Sequence, residues 1–100
     1  MRLRQNEASV IINTARELLG QHARIWLFGS RVDDTAQGGD IDLYIEVPGF
    51  APDQFMLAVR LTSLLQLKLG EQKFDILIRG ANDKLEPIHD IARTQGIELL

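Results

Sequence analysis

Cysteine is absent from this 100-residue chain. That excludes disulfides, thiolate nucleophiles and structural zinc of the cysteine type, and it leaves the redox compartment unmarked. Long apolar runs are absent as well. No stretch approaches the roughly 20 residues that span a bilayer, and the first seven residues, Met1 to Glu7, are not followed by the apolar run of a signal peptide. The expectation is a soluble cytoplasmic protein with no membrane partner. A basic excess is the third thing missing. The formal net charge is −3, whereas a domain that grips nucleic acid by its phosphates presents a basic surface. Direct nucleic-acid binding is therefore not expected.

The length fits one compact domain over residues 1–100, enough to bury about two thirds of the surface an unfolded chain exposes. It leaves no room for a second, substrate-binding domain. Hydrophobic residues make up 45% and charged residues 25%, the balance of an ordinary globular protein.

Three prolines and eight glycines are few enough to read as punctuation. Residues 6–19 carry Val10, Ile11, Ala15, Leu18 and Leu19 at near-helical spacing, and Gly20 suits the position past a helix end. Residues 23–28, Ala-Arg-Ile-Trp-Leu-Phe, are a short apolar run stopped by Gly29, which predicts a buried strand. Residues 31–39 are polar, end in Gly38-Gly39, and read as a loop with room for one helical turn. Residues 40–47 alternate: Ile41, Leu43, Ile45 and Val47 on one face, Asp40, Asp42, Tyr44 and Glu46 on the other. Pro48-Gly49 ends that strand. Pro52 and Asp53 suit a first helical turn, and residues 53–69 read as a broad apolar helix stopped by Gly70. Residues 73–78 give a third strand, with Phe74, Ile76 and Ile78 on one side and Asp75 on the other. Pro87 opens a last helix to about Gln95. The order helix, strand, strand, helix, strand, helix predicts an α/β (α+β) fold, a short mixed sheet with helices mainly on one face. Pattern alone does not fix the strand order.

Three features carry chemistry. Asp40 and Asp42 lie two apart on one strand, so both carboxylates leave the same face. Held this close they resist joint ionisation, and a divalent cation such as magnesium, which takes one or two carboxylates plus phosphate oxygens, would compensate them. A solvated strand end is the bland alternative. Gly29-Ser30 follows a buried strand directly. Glycine lets backbone approach a ligand closely, and a serine at the start of a helical turn suits a phosphate; an ordinary Gly-Ser turn looks the same. Asp75 on an otherwise apolar strand is either an edge residue facing water or a third acid meeting Asp40 and Asp42. Three converging carboxylates would support chemistry with two metal ions, with Asp75 as ligand and candidate base.

Taken together, Leu27-Phe28-Gly29-Ser30-Arg31, Asp40-Ile41-Asp42-Leu43 and Phe74-Asp75-Ile76-Leu77 resemble the polymerase-beta-type nucleotidyltransferase superfamily, and most closely its minimal nucleotidyltransferase (MNT) branch. The likeness covers about residues 10–97, including Pro87-Ile88-His89-Asp90-Ile91-Ala92. It implies a polymerase-beta-like nucleotidyltransferase fold and transfer of a nucleoside monophosphate, AMP from ATP, to a hydroxyl with release of pyrophosphate. It implies that Asp40, Asp42 and Asp75 hold two Mg2+ ions and that Gly29, Ser30 and Arg31 bind the phosphates. One departure is Val32-Asp33-Asp34-Thr35, which carries two acids where many relatives have an Ala-Arg-Gly-type segment. MNT proteins are paired with a small helical HEPN toxin, so the resemblance further implies an antitoxin whose acceptor is a tyrosine of that partner, in a homo- or hetero-oligomer. An antitoxin that acts by binding alone is the alternative, and a small-molecule transferase of the aminoglycoside kind a third.

Other residues are left in structural roles. His22 and His89 are isolated from each other and from the acids. Trp26 reads as core. Tyr44 shares the acidic face, where it either packs or touches a nucleotide. The leucines of residues 61–69 read as core, with part available to a partner.

Overall fold

Period-two alternation in Ile41–Val47 builds one of the two inner strands of a sheet, and two other strands pair with it on either side. The computed structural model describes residues 3–32 and 40–100, with Ser30 described in its backbone only. In chain order the elements are helix α1 (Gln5–Leu19), strand β1 (Arg24–Phe28), a 3-10 turn (Gly29–Val32), strand β2 (Ile41–Val47), helix α2 (Gln54–Leu69), strand β3 (Phe74–Gly80), helix α3 (Pro87–Gln95) and strand β4 (Ile97–Leu99). The polar loop and the acidic pair Asp33-Asp34 expected between the turn and β2 lie outside the described residues.

The four strands form one mixed sheet in the order β3-β2-β1-β4. β1 runs antiparallel to both β2 and β4, whereas β2 and β3 are parallel. Parallel neighbours need a crossover connection, and α2 supplies it. α1 and α2 cover one face. There Ile11, Ala15, Ile25, Leu27, Leu43, Ile45, Leu61 and Leu65 are fully buried, each large side chain contributing about 1.5–3 kcal/mol. Lys68 on α2 donates to the buried Thr14 hydroxyl of α1 at 3.1 Å. Two of the three helices thus share one face, as expected.

α3 packs on the other face, over Trp26 and Tyr44, with Ala92 beneath it. This changes the reading of the alternation in β2. Tyr44, which the pattern sets on the polar face, is completely buried because α3 covers it. Its ring lies 5.4 Å from both Trp26 and His89.

Helix boundaries follow local chemistry. The Glu7 carboxylate accepts the Arg4 N–H at 3.0 Å, closing the start of α1. α2 begins one step later than Pro52 suggests: Asp53, at φ +48°, caps it, its carboxylate accepting the Met56 N–H at 3.2 Å. The Pro87 helix runs as expected and ends at Gly96, where a Cβ would sit 2.7 Å from the Leu27 carbonyl. That close approach leads the chain straight into β4, a strand the sequence pattern misses. Among the described residues no helix is long and apolar enough to cross a membrane.

Candidate active site

The three sequence features meet at one end of the sheet, where β1 finishes and β2 and β3 begin. Phe28, the last residue of β1, is the register partner of Asp42 on β2. The chain must turn immediately after it, and Gly29 does so at φ +74°. Two constraints fix glycine there. The positive φ disfavours any residue with a Cβ. In addition, a Cβ at this position would overlap the Asp42 carboxylate, whose Cγ would lie 3.1 Å away. The turn is thus laid directly against the acid, and Ser30 and Arg31 follow in the 3-10 segment.

Asp75 stands beside Asp42. It is the register partner of Asp42 across the parallel β2–β3 ladder, so both carboxylates leave the same face of the sheet. They share that face with Tyr44 and Leu77, two residues further along each strand. α3 covers Tyr44, while Asp42 stays partly open and Asp75 exposed. Asp40 precedes β2, half-exposed, with its carboxylate 3.6 Å from the Lys73 ammonium. Both partners face solvent, so this ion pair contributes little and separates easily.

The electrostatics at Asp42 are adverse. Partial burial pushes its carboxyl above the ordinary value, and the charges of Asp75 and Asp40 push it further. A carboxylate with two like-charged neighbours needs a cation or a proton. Among the described residues no set of three His, Cys, Asp or Glu side chains converges tightly enough to hold a metal unaided. Magnesium does not require one: it takes one or two carboxylates and completes its shell from phosphates and water. The donor set, hard oxygens crowded together with no fixed cation on Asp42 among the described residues, fits that ion.

Two further residues border the acids and were not singled out from the sequence. Lys73 faces Asp40, and Gln72 accepts a hydrogen bond from Arg31 Nη2 at 3.3 Å. Arg31 is thereby tied to the segment leading into β3, close to the carboxylates. The available signal was Lys73 itself, a cation placed just before the strand that carries Asp75. The side chain of Ser30 lies outside the described residues.

Behind the acids, on the α3 side, Arg79 is buried at 6% exposure. Its guanidinium meets the Glu46 carboxylate at 3.1 Å and the Tyr44 hydroxyl at 3.4 Å, and donates to the carbonyls of Ala81, Asp83 and Lys84. Arg93 of α3 reaches the same Glu46 oxygen at 3.4 Å. This network locks β2, β3, the following turn and α3 together. His89 has the structural role read for it, at the margin of this network: it stacks on Tyr44, and its Nδ1 accepts the Glu86 N–H at 3.0 Å at the start of α3.

No curated protein matches the chain. Residues 9–96 match the family described as Nucleotidyltransferase domain. That span holds the Gly29-Ser30 turn and all three acids, and the mixed four-stranded sheet with its three helices is consistent with the polymerase-beta-like fold of the superfamily. On this match the chain belongs to the nucleotidyltransferase domain family, and nucleotidyl transfer is its class of chemistry.

Proposed function

We propose that the chain transfers AMP from ATP to a tyrosine hydroxyl of a partner protein, a small helical toxin of the HEPN kind, and so acts as its antitoxin. The observation that carries the reading is the register pairing of Asp42 with Asp75, on an open face beside a glycine turn that only a side-chain-free residue can make.

In this reading Asp40, Asp42 and Asp75 hold magnesium, which when bound neutralises the crowded acids and offsets phosphate charge. The Gly29-Ser30 turn receives the terminal phosphates, with Arg31 and Lys73 as the nearest cations. Asp75 stands exposed at the rim, where an incoming hydroxyl can give up its proton to the carboxylate. The acceptor oxygen forms a bond to the α-phosphorus, the bond from that phosphorus to the bridging oxygen breaks, and pyrophosphate leaves with the electron pair. Little covalent work falls to the protein; positioning and charge supply the rate.

The test is mass spectrometry of the HEPN partner after incubation with ATP and magnesium. One added AMP per modified tyrosine is expected with the native chain and none with Asp42→Asn. Absence of transfer with any of the four nucleoside triphosphates rejects the reading. A second reading, neutralisation by binding alone, draws on the exposed apolar side chains of α2, where Phe55 is 77% and Leu67 84% exposed. It requires Asp42→Asn to neutralise the partner as well as the native chain does.

A further inference from the structure

β3 is the outer strand of the sheet on the side of the acids, and its hydrogen-bond phase can be read from its two ends. Ile41 donates its N–H to the Lys73 carbonyl at 2.9 Å, and Ala81 donates to the Val47 carbonyl at 2.7 Å. With the parallel register of β2 and β3, odd-numbered residues of this stretch bond inward. The N–H and C=O groups of Phe74, Ile76 and Ile78 therefore point away from the sheet, spaced about 6.6 Å apart. Among the described residues none of these groups has an outward partner. The edge closes only at Gly80, whose N–H donates to the Asp83 carboxylate at 2.9 Å and whose carbonyl accepts the Asp83 N–H at 3.0 Å.

This open stretch is the floor of a groove. Two contiguous cavities of about 370 and 250 Å³ run along it and share Phe55, Ala58 and Ile76. Phe55 and Val59 of α2 stand on one lip, both exposed. His89 of α3 borders the far end, and Asp75 the near end. Unpaired donors and acceptors alternating along a strand are matched by one ligand chemistry, an extended polypeptide.

We propose that the open edge of β3 receives an extended segment of the acceptor protein, which adds as a fifth strand and presents a hydroxyl side chain to Asp75. The proposal rests on the transferase reading for the hydroxyl and adds the docking mode to it. Register supports the delivery: a residue placed opposite Asp75 projects from the same face as its carboxylate. Charge selects the occupant. Asp75 is the one carboxylate lining the groove among the described residues, and burial and the Arg79 charge favour the neutral form of His89. The groove therefore favours a segment with apolar flanks and no acid beside Asp75. A second copy pairing through its own β3, centred on Ile76, would set two Asp75 carboxylates about 7–8 Å apart on one face, which disfavours it. Charged residues can also serve merely to guard an edge, and Lys73 and Asp75 would then have no docking role.

The probe is a pooled library of ten-residue peptides with a fixed central tyrosine, mixed with the full chain, ATP and magnesium. Amide hydrogen exchange at Ile76 and Ile78 is expected to slow about tenfold with the bound peptides, equivalent to about 1.4 kcal/mol of added protection. A chain assembled by segment ligation with N-methyl-Ile76 loses the outward donor and keeps the side chain and the β2 ladder. It should retain ATP binding and lose both the protection and the peptide modification; Phe55→Asp, on the exposed lip, should weaken peptide binding without unfolding the chain. Unchanged exchange at Ile76 and Ile78 with every peptide overturns the docking proposal. So does wild-type peptide modification by the N-methyl chain, and so does concentration-dependent edge protection with a sedimenting dimer in the absence of peptide. Protection without AMP transfer upholds the docking mode and rejects the transferase reading. Transfer without protection does the reverse.

Discussion

Asp42 and Asp75 are register partners on neighbouring parallel strands, with both carboxylates on the same face as α3, at the end of the sheet beyond the helix. Like charges directly opposite in a sheet cost stability, so the pair is expected to trade stability for function. Asp42→Asn should be more stable than the native chain, by up to about 1 kcal/mol, and melt higher, while transferring no AMP. Calorimetry beside the transfer assay checks it. A variant that melts lower and still transfers contradicts the assignment.

The same pair gives a pH and a metal prediction. The folded-state carboxyl of Asp42 titrates above its ordinary value, because of burial and then of Asp75 and Asp40. Its protonated form thus favours folding, and that contribution disappears as pH rises through the folded value. At neutral pH the adverse charge is present, and magnesium should relieve it. Adding Mg2+ at pH 7 should raise the Tm of the native chain and leave that of Asp42→Asn nearly unmoved. An equal rise in both places the ion elsewhere.

Gly29→Ala should be damaging twice over. The φ of +74° is unfavourable to alanine, and the new methyl would overlap the Asp42 carboxylate. Strain of this kind costs about 1–3 kcal/mol, measurable by urea titration. Transfer should fall further than stability does, because the displaced group is Asp42 itself.

Arg79→Met removes a buried cation from Glu46 and from three backbone carbonyls. Breaking one side of a buried pair costs about 3–5 kcal/mol; Arg93 remains on Glu46, so the lower end is expected. Denaturant unfolding reads the loss directly.

His89 supplies an acid-side prediction. Burial, then the Arg79 charge, hold its folded value below the ordinary 6.5. Its contribution is therefore complete above about pH 6.5 and is lost as pH falls from there toward the folded value. Neutral Nδ1 accepts the Glu86 N–H that opens α3, and protonation removes that acceptor. Native stability should decline as pH falls below about 6.5, and His89→Gln should flatten the decline. A parallel decline in the variant would assign the effect to carboxylates instead.

Much of this architecture was legible in the chain. Helical spacing gave α1 and α2 to within a residue or two, Pro87 marked the start of α3, and alternation gave β2 and β3, because those strands bury one face in proportion to their own pattern. The Gly29-Ser30 turn and the three acids were legible for the same local reason: each sits where its own element ends or alternates. Ile97–Leu99 was not legible as a strand. Three residues carry too little periodicity, and they become β4 only by pairing with β1.

What the tertiary structure decided was placement. Asp75 could have faced water or met Asp42, and only the parallel register of β3 on β2 put them side by side. Tyr44 could have packed or touched a nucleotide, and α3 folding over it decided for packing; Arg79 drew its significance from Tyr44 and Glu46, 35 and 33 residues away. The residue types of the site are a local property of the chain, whereas its geometry, and the unpaired edge running from Asp75, depend on strand order, which hydrophobic pattern does not encode because each strand would bury equally well in several positions of the same sheet.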